Sequence, residues 1–290
     1  GAGRPSGSLE RRRSSEPLAA RRGTVIIAGG FQFPEGPAFA RDGTLYLVNL
    51  EGGYISRVPP GGQPEVFHPT GGRPNGLAIH KDGSLYVADS GLRAVLRVDP
   101  ETKEQQAVAG AFRGRPFNGP NDLCFGPDGT LFFTDPLHSS AENPIGKVYR
   151  LTPAGRLSVV LDGLAFPNGL CLSEDASILY LAETKRHRIL RCRLDAAGRC
   201  REWDVYAQVE GGPDGMALDL RGNLYVALYG RGAVGVIPPG GGSVTYLPVD
   251  GPRPTNVAFH GERLYVTEAA TGTLQVLSIG VPGLPLYSHR

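Results

Sequence analysis

The sequence predicts an all-β fold, a six-bladed β-propeller over residues 24–290, and three observations carry that expectation. First, residues 121–135, NDLCFGPDGTLFFTD, read as a β-hairpin: two apolar runs flank Pro127-Asp128-Gly129. A tight hairpin turn needs residues that tolerate positive φ, which Asp-Gly supplies. Second, the unit recurs from Glu35, Asn75, Asn168, Asp214 and Thr255, so that successive starts lie 40, 46, 47, 46 and 41 residues apart. A period of that length, made of short strands, is the mark of a propeller blade. Third, 42 Gly and 25 Pro fall between the apolar runs, where many tight turns need them. No heptad pattern occurs, and no apolar stretch is long enough to span a bilayer.

The chain opens with GAGRPSGSLERRRSSEPLAARRG, six Arg against two Glu; the remaining body carries 24 basic and 26 acidic residues, about −2 in all. Few apolar residues and no period make 1–23 a flexible leader or a cloning remnant rather than a nucleic-acid-binding arm. It lacks the long apolar core of a secretory signal, so the cytoplasm is the expected compartment. Thr24–Ala28 reads as a strand without a hairpin partner. Its simplest place is the outer edge of the sixth blade, where it would close the ring and remove an open sheet edge. The final GVPGLPLY is too rich in Pro and Gly for a good strand. Cys124 and Cys171 fall at equivalent positions of inner strands and read as small core residues. Cys192 and Cys200 flank a turn at Asp195-Ala196-Ala197-Gly198, where a disulfide is an open option.

Aligning the six units places Glu35, Asn75, Asn121, Asn168, Asp214 and Thr255 at one equivalent position. Innermost strands line a propeller's channel, so these side chains are expected to converge near one end of the axis. Two carboxylates and three amides, with no Lys or Arg, form a hard all-oxygen site. That suits Ca2+, with ligands at roughly 2.3–2.6 Å; Mn2+, Zn2+ and Fe2+ are the other ions open to it. Without a cation, Glu35 and Asp214 would repel each other. Any one of these residues could simply start a strand as a turn former. Six aligned positions holding two carboxylates favour the site instead. Asn75 stays open between an outer ligand, a substrate contact and a turn residue.

The stretches FPEGP (33–37), NGPND (118–122) followed by LFFTDP (131–136), FPNGL (166–170) with AETKRHRILR (182–191), and GGPDGM (211–216) resemble the gluconolactonase/regucalcin (senescence marker protein) family. The resemblance covers nearly the whole chain after Arg22. It implies a six-bladed propeller that hydrolyses sugar lactones with a divalent metal on the axis. It places metal ligands on Glu35, Asn168 and Asp214, and puts Asn121 on the amide that either touches substrate or joins the metal. With all four as ligands, the set is also similar to diisopropylfluorophosphatase and paraoxonase. The regucalcin-like branch carries Arg where this chain has Gly119, and the NGPND…FTDP version resembles bacterial gluconolactonases.

In such a site the metal would polarise the lactone carbonyl and lower the pKa of a water. Asp214 is the candidate base, with direct nucleophilic attack by it as the alternative. His138, in TDPLHSS, is a candidate acid or substrate hydrogen-bond partner, or else a surface histidine. Asp135 either organises its loop or catalyses, and Glu183 and His187 read equally well as blade packing. Asp122 is expected to point away from Asn121 into a structural hydrogen bond, and Trp203 to pack on an outer strand.

No Gly-x-Ser-x-Gly elbow, phosphate loop or Cys-x-x-Cys appears, which argues against serine hydrolases, nucleotide enzymes and thiolate zinc sites. The expected function is a metal-dependent lactonase acting on a small-molecule lactone, with neither nucleic acid nor membrane as partner. The alternatives are a phosphotriesterase-type hydrolase on the same metal, and a non-catalytic propeller with a structural Ca2+ that binds a protein. The last would expose a large apolar patch on one rim.

Overall fold

Short apolar runs joined by short turns cannot bury both faces of a sheet by themselves, so the sheets must stack. The computed structural model describes residues 23–290, and the basic leader 1–22 lies outside the described residues. After β1 (Val25–Ala28), the first blade is β2 (Pro34–Phe39), β3 (Leu45–Asn49), β4 (Tyr54–Val58) and β5 (Glu65–Pro69). The second is β6 (Pro74–Ile79), β7 (Leu85–Asp89), β8 (Ala94–Val98) and β9 (Gln105–Ala109). A small ribbon, β10 (Ala111–Phe112) and β11 (Arg115–Pro116), precedes the third blade: β12 (Leu123–Phe125), β13 (Leu131–Asp135), β14 (Gly146–Leu151) and β15 (Leu157–Leu164).

The fourth blade is β16 (Pro167–Leu172), β17 (Ile178–Glu183), β18 (Arg188–Leu194) and β19 (Cys200–Gln208). The fifth is β20 (Gly212–Leu218), β21 (Leu224–Tyr229), β22 (Ala233–Ile237) and β23 (Thr245–Pro248). The sixth joins β24 (Pro254–His260), β25 (Arg263–Glu268) and β26 (Thr273–Ser278) to β1, in the order β1-β26-β25-β24, with Val25 opposite Val276.

The turn at the foot of each inner hairpin shows why Asp recurs there. Asp42, Asp82, Asp128 and Asp175 each accept the amide two residues on, from Thr44, Ser84, Thr130 and Ser177, at 2.8–3.0 Å. Stacking then buries both faces. Six apolar clusters form, one at each joint between neighbouring blades, including the last, where Phe39 and Leu47 meet Ala258 and Leu274. Fully buried residues such as Leu47, Leu85, Leu181 and Leu224 contribute about 1.5–3 kcal/mol each.

Cys192 and Cys200 are bonded to each other, with their Cα atoms 5.8 Å apart, whereas Cys124 and Cys171 remain thiols in the channel wall. Trp203 is half exposed on β19 with the Arg188 guanidinium 5.8 Å from its ring, so its expected packing role gives way to a surface contact.

The chain after β26 crosses the channel mouth at the hairpin-turn end and touches every blade. Arg41 donates to Ser288 O (2.6 Å), and the Tyr287 ring lies against His80 and Phe125. Arg290 donates to Glu174 O (3.3 Å), Leu284 N to Leu218 O (2.9 Å) and Gly283 N to Gly261 O (3.1 Å). Above this segment lies a cavity of about 140 Å3 walled by Leu77, Leu123, Leu170, Met216 and Val257.

Candidate functional site

The candidate site lies at the opposite end of the channel, where the inner strands begin. Pairing between first and second strands is irregular there in five blades: between Glu35 and Ala38, Pro74 and Gly76, Pro167 and Leu170, Pro213 and Met216, and Pro254 and Asn256. In the third blade, β12 begins only after Asn121 and Asp122. A bulge breaks the two-residue alternation and re-aims side chains. Two successive residues of each inner strand can therefore face the axis. Phe33 and Phe166, at φ 60° and 61°, take up left-handed backbone directly before Pro34 and Pro167, a cost of about 1–3 kcal/mol each that the surrounding structure must hold.

A repeated clamp fixes the loops leading into these strands. The last residue of the second strand turns its carboxylate or amide oxygen to a backbone N–H of the preceding loop. Asn49 accepts from Gln32, Asp89 from Arg73, Glu183 from Ala165 and Glu268 from Arg253, at 2.6–3.0 Å. Asp135 accepts from both Asn118 (2.9 Å) and Gly119 (2.6 Å) and so organises the loop that presents Asn121. Burial raises the Asp135 pKa. Glu183 also pairs with Arg186 and Arg188 at 2.9 and 2.5 Å, while His187 Nδ1 meets Gly211 O at 2.5 Å. The AETKRHR stretch thus holds the joint between blades four and five.

Glu35, Asn121, Asn168 and Asp214 are all buried, and Asn75 is half-buried. Among the described residues, four buried side-chain N or O atoms lack a hydrogen-bond partner: Asn75 Oδ1, Asn168 Oδ1, Asp214 Oδ1 and Asp195 Oδ2. The last is a turn oxygen with Arg201 only 2.7 Å away. The three without any partner all stand at the repeat starts. A buried polar atom left unpaired costs about 1–3 kcal/mol, so this oxygen-lined ring suits a cation. The amide of Asn168 is oriented by chemistry. Thr184 gives its own proton to Pro213 O (2.6 Å), so it must accept from Asn168 Nδ2 (3.1 Å), which turns Oδ1 away from it.

Thr255, in the same column, differs. Its hydroxyl donates to Pro34 O at 2.7 Å and stitches blade six to blade one. His138 is exposed on the loop after β13 with φ 69°, and among the described residues no contact ties its ring to the axial oxygens.

Asp122 overturns an expectation. It does not point away but faces the channel, buried, with Oδ1 accepting from Leu123 N (2.8 Å) and Oδ2 from Asn256 Nδ2 (3.3 Å). It therefore stands beside Glu35 and Asp214 as a third carboxylate. Burial and the charge of Asp122 push Glu35 up to about 8. Burial likewise lifts Asp122 to about 7, and Asp214 is raised by burial, then by Glu35 and Asp122. Among the described residues no group of three His, Cys, Asp or Glu side chains is arranged as a metal cluster. The donor set instead mixes carboxylates with amide oxygens, the chemistry of a hard cation site.

Sequence comparison places the chain beside proteins of known name. A gluconolactonase of Zymomonas mobilis is 32% identical over 271 residues, covering 82% of this chain and 76% of that protein. A solved gluconolactonase structure from Xanthomonas campestris aligns with TM-score 0.78 at 26% identity, covering 90% and 89% of the two chains. The structure of a calcium-binding protein, regucalcin, from Agrobacterium tumefaciens aligns with TM-score 0.80 at 26% identity, covering 92% and 97%. Residues 33–270 match the model of the SMP-30/Gluconolactonase/LRE-like region. That span takes in all six repeats up to the end of β25, and the chain belongs to this family.

Proposed function

We propose that this chain hydrolyses small-molecule lactones with a divalent cation, Ca2+ being the ion its oxygen donors suit best. The observation that carries the reading is the set of buried, unpartnered oxygens of Asn75, Asn168 and Asp214 beside Glu35. The naming of its relatives as gluconolactonases supports the substrate class. Glu35, Asn168 and Asp214 would hold the ion, with Asn121 as the fourth donor. When bound, the ion supplies Lewis-acid polarisation of the lactone carbonyl and a more acidic water.

The protein's own groups do the rest. Asp214 Oδ1 accepts a proton from the attacking water. Attack on the carbonyl carbon breaks its bond to the ring oxygen, which leaves as an alcohol once protonated. Asn75 and His138 are the substrate contacts in this reading, with His138 assigned to return a proton from its loop after β13. No cationic side chain takes the place of Gly119: Leu137 Cδ2 lies 2.7 Å from where its Cβ would be. The pairing of β1 with β26 is read as the closure that keeps the four donor residues at fixed distances.

The test is hydrolysis of a lactone panel after chelation, with Ca2+, Mn2+ and Zn2+ restored singly. Turnover recovered by a metal supports the reading. Metal binding without lactone turnover would reject it and direct attention to phosphotriesters.

A further inference from the structure

Directly below the donor ring, the next residue of each inner strand forms a second layer: Gly36, Gly76, Asp122, Gly169, Gly215 and Asn256. Four are glycines for a steric reason. A Cβ on Gly36 would stand 2.6 Å from Leu77 N, on Gly76 2.5 Å from Asn121 O, and on Gly169 2.2 Å from Asp214 O. Only Asp122 and Asn256 carry side chains in this layer, and they meet. Asn256 Nδ2 donates to Glu35 Oε2 (3.1 Å) and to Asp122 Oδ2 (3.3 Å), while its Oδ1 accepts from Val257 N (2.9 Å). Gly36 N also donates to Glu35 Oε2, at 3.0 Å.

We propose that Asn256 is a positioning residue: its amide bridges Glu35 and Asp122, fixes the Glu35 carboxylate, and leaves Oε1 as the oxygen offered to the cation. This rests on the cation-site reading above. The chemistry fits an amide and no other side chain of that size. One NH2 group has two protons, one for each carboxylate, and adds no charge. A Leu would leave both carboxylates without a donor, and an Asp would add a third acceptor. Gly215 completes the device. A Cβ there would fall 1.9 Å from Asn256 Oδ1, so the bare backbone of blade five is what admits the amide in this orientation.

The experiment measures Ca2+ affinity by titration calorimetry for the full chain, Asn256→Ala, Asp122→Asn and the double variant, with thermal unfolding as a check of folding. Asn256→Ala is expected to weaken binding about 10–100-fold, as loss of an outer-shell partner typically does. Asp122→Asn removes the neighbouring charge, so the double variant is expected to recover most of that loss. A merely structural Asn256 would show no such recovery. Gly215→Ala keeps every polar side chain, and is expected to weaken binding similarly while adding little to Asn256→Ala. Wild-type affinity in both Asn256→Ala and Gly215→Ala, or equal losses with and without Asp122, overturns the assignment. A wild-type chain that binds none of Ca2+, Mn2+ or Zn2+ overturns the cation reading itself.

Discussion

The two halves of the central channel are walled by the same inner strands yet present opposite chemistry. Where the strands begin, Asn75, Asn168 and Asp214 hold buried oxygens without a hydrogen-bond partner, and Glu35 and Asp122 are buried carboxyls of the same end. A few residues further, Leu77, Leu170, Met216 and Val257 line an apolar cavity sealed by the C-terminal segment. The difference lies in backbone regularity. Below the bulges the strands alternate normally and pack apolar side chains; at the bulges alternation fails, and the polar residues Glu35, Asn168 and Asp214 are each followed by a glycine. A propeller can therefore carry a charged site on an apolar scaffold without changing its strand count.

Four experiments break or sharpen this contrast. Asp214→Asn is expected to lower kcat/KM by roughly 10²–10⁴-fold, the usual contribution of a general base, while Cys171→Ala in the lower half leaves kcat/KM unchanged in the same assay. Leu170→Ala, which removes apolar wall, is expected to cost about 2–5 kcal/mol in denaturant unfolding while Ca2+ affinity of the folded protein stays the same. An equal loss of affinity would mean that the halves are coupled.

The third experiment is a pH series on the metal-free chain. Glu35 and Asp122 are raised to about 8 and 7 from ordinary values of 4.5 and 3.8, burial being the first cause. Between those limits the folded chain holds protons that the unfolded chain has released. Their contribution is present in full below about pH 4 and lost as pH rises through 8. Thermal unfolding of metal-free wild type should thus decline over this range relative to Glu35→Gln, and saturating Ca2+ should flatten the decline. A metal-free Tm that tracks Glu35→Gln at every pH would remove the electrostatic contrast. The smallest effect is expected from a chain ending at Val281: Cys124 and Cys171 should react with a thiol reagent faster than in the full chain, with Ca2+ affinity unchanged.

The fold was legible because a repeat of short strands at 40–47 residues leaves few other architectures, and the column of Glu35, Asn75, Asn121, Asn168 and Asp214 stands out on alignment. Asp122 and Asn256 were not legible as site residues. Strict alternation sends them away from the axis; the pairing irregularity beside Asn256 and the late start of β12 after Asp122 arise from pairing geometry that no single strand's sequence encodes. One signal was available: they are the two non-glycines in a column otherwise filled by Gly36, Gly76, Gly169 and Gly215. The path of the last residues was hidden for another reason. Arg41 and Arg290 hold that segment through backbone carbonyls, and such contacts leave no residue pattern.

The pairing of Val25 with Val276 also bears on how the molecule is made. A ribosome adding roughly 5–20 residues per second releases β1 on the order of ten to fifty seconds before its partner β26 exists. Throughout that interval Val25, Ile26 and Ile27 have no sheet to join, and the nascent chain holds a bare strand edge. An element made well before its partner is thus among the last to find its place, so chaperone demand should concentrate on β1 rather than on the blades that follow it.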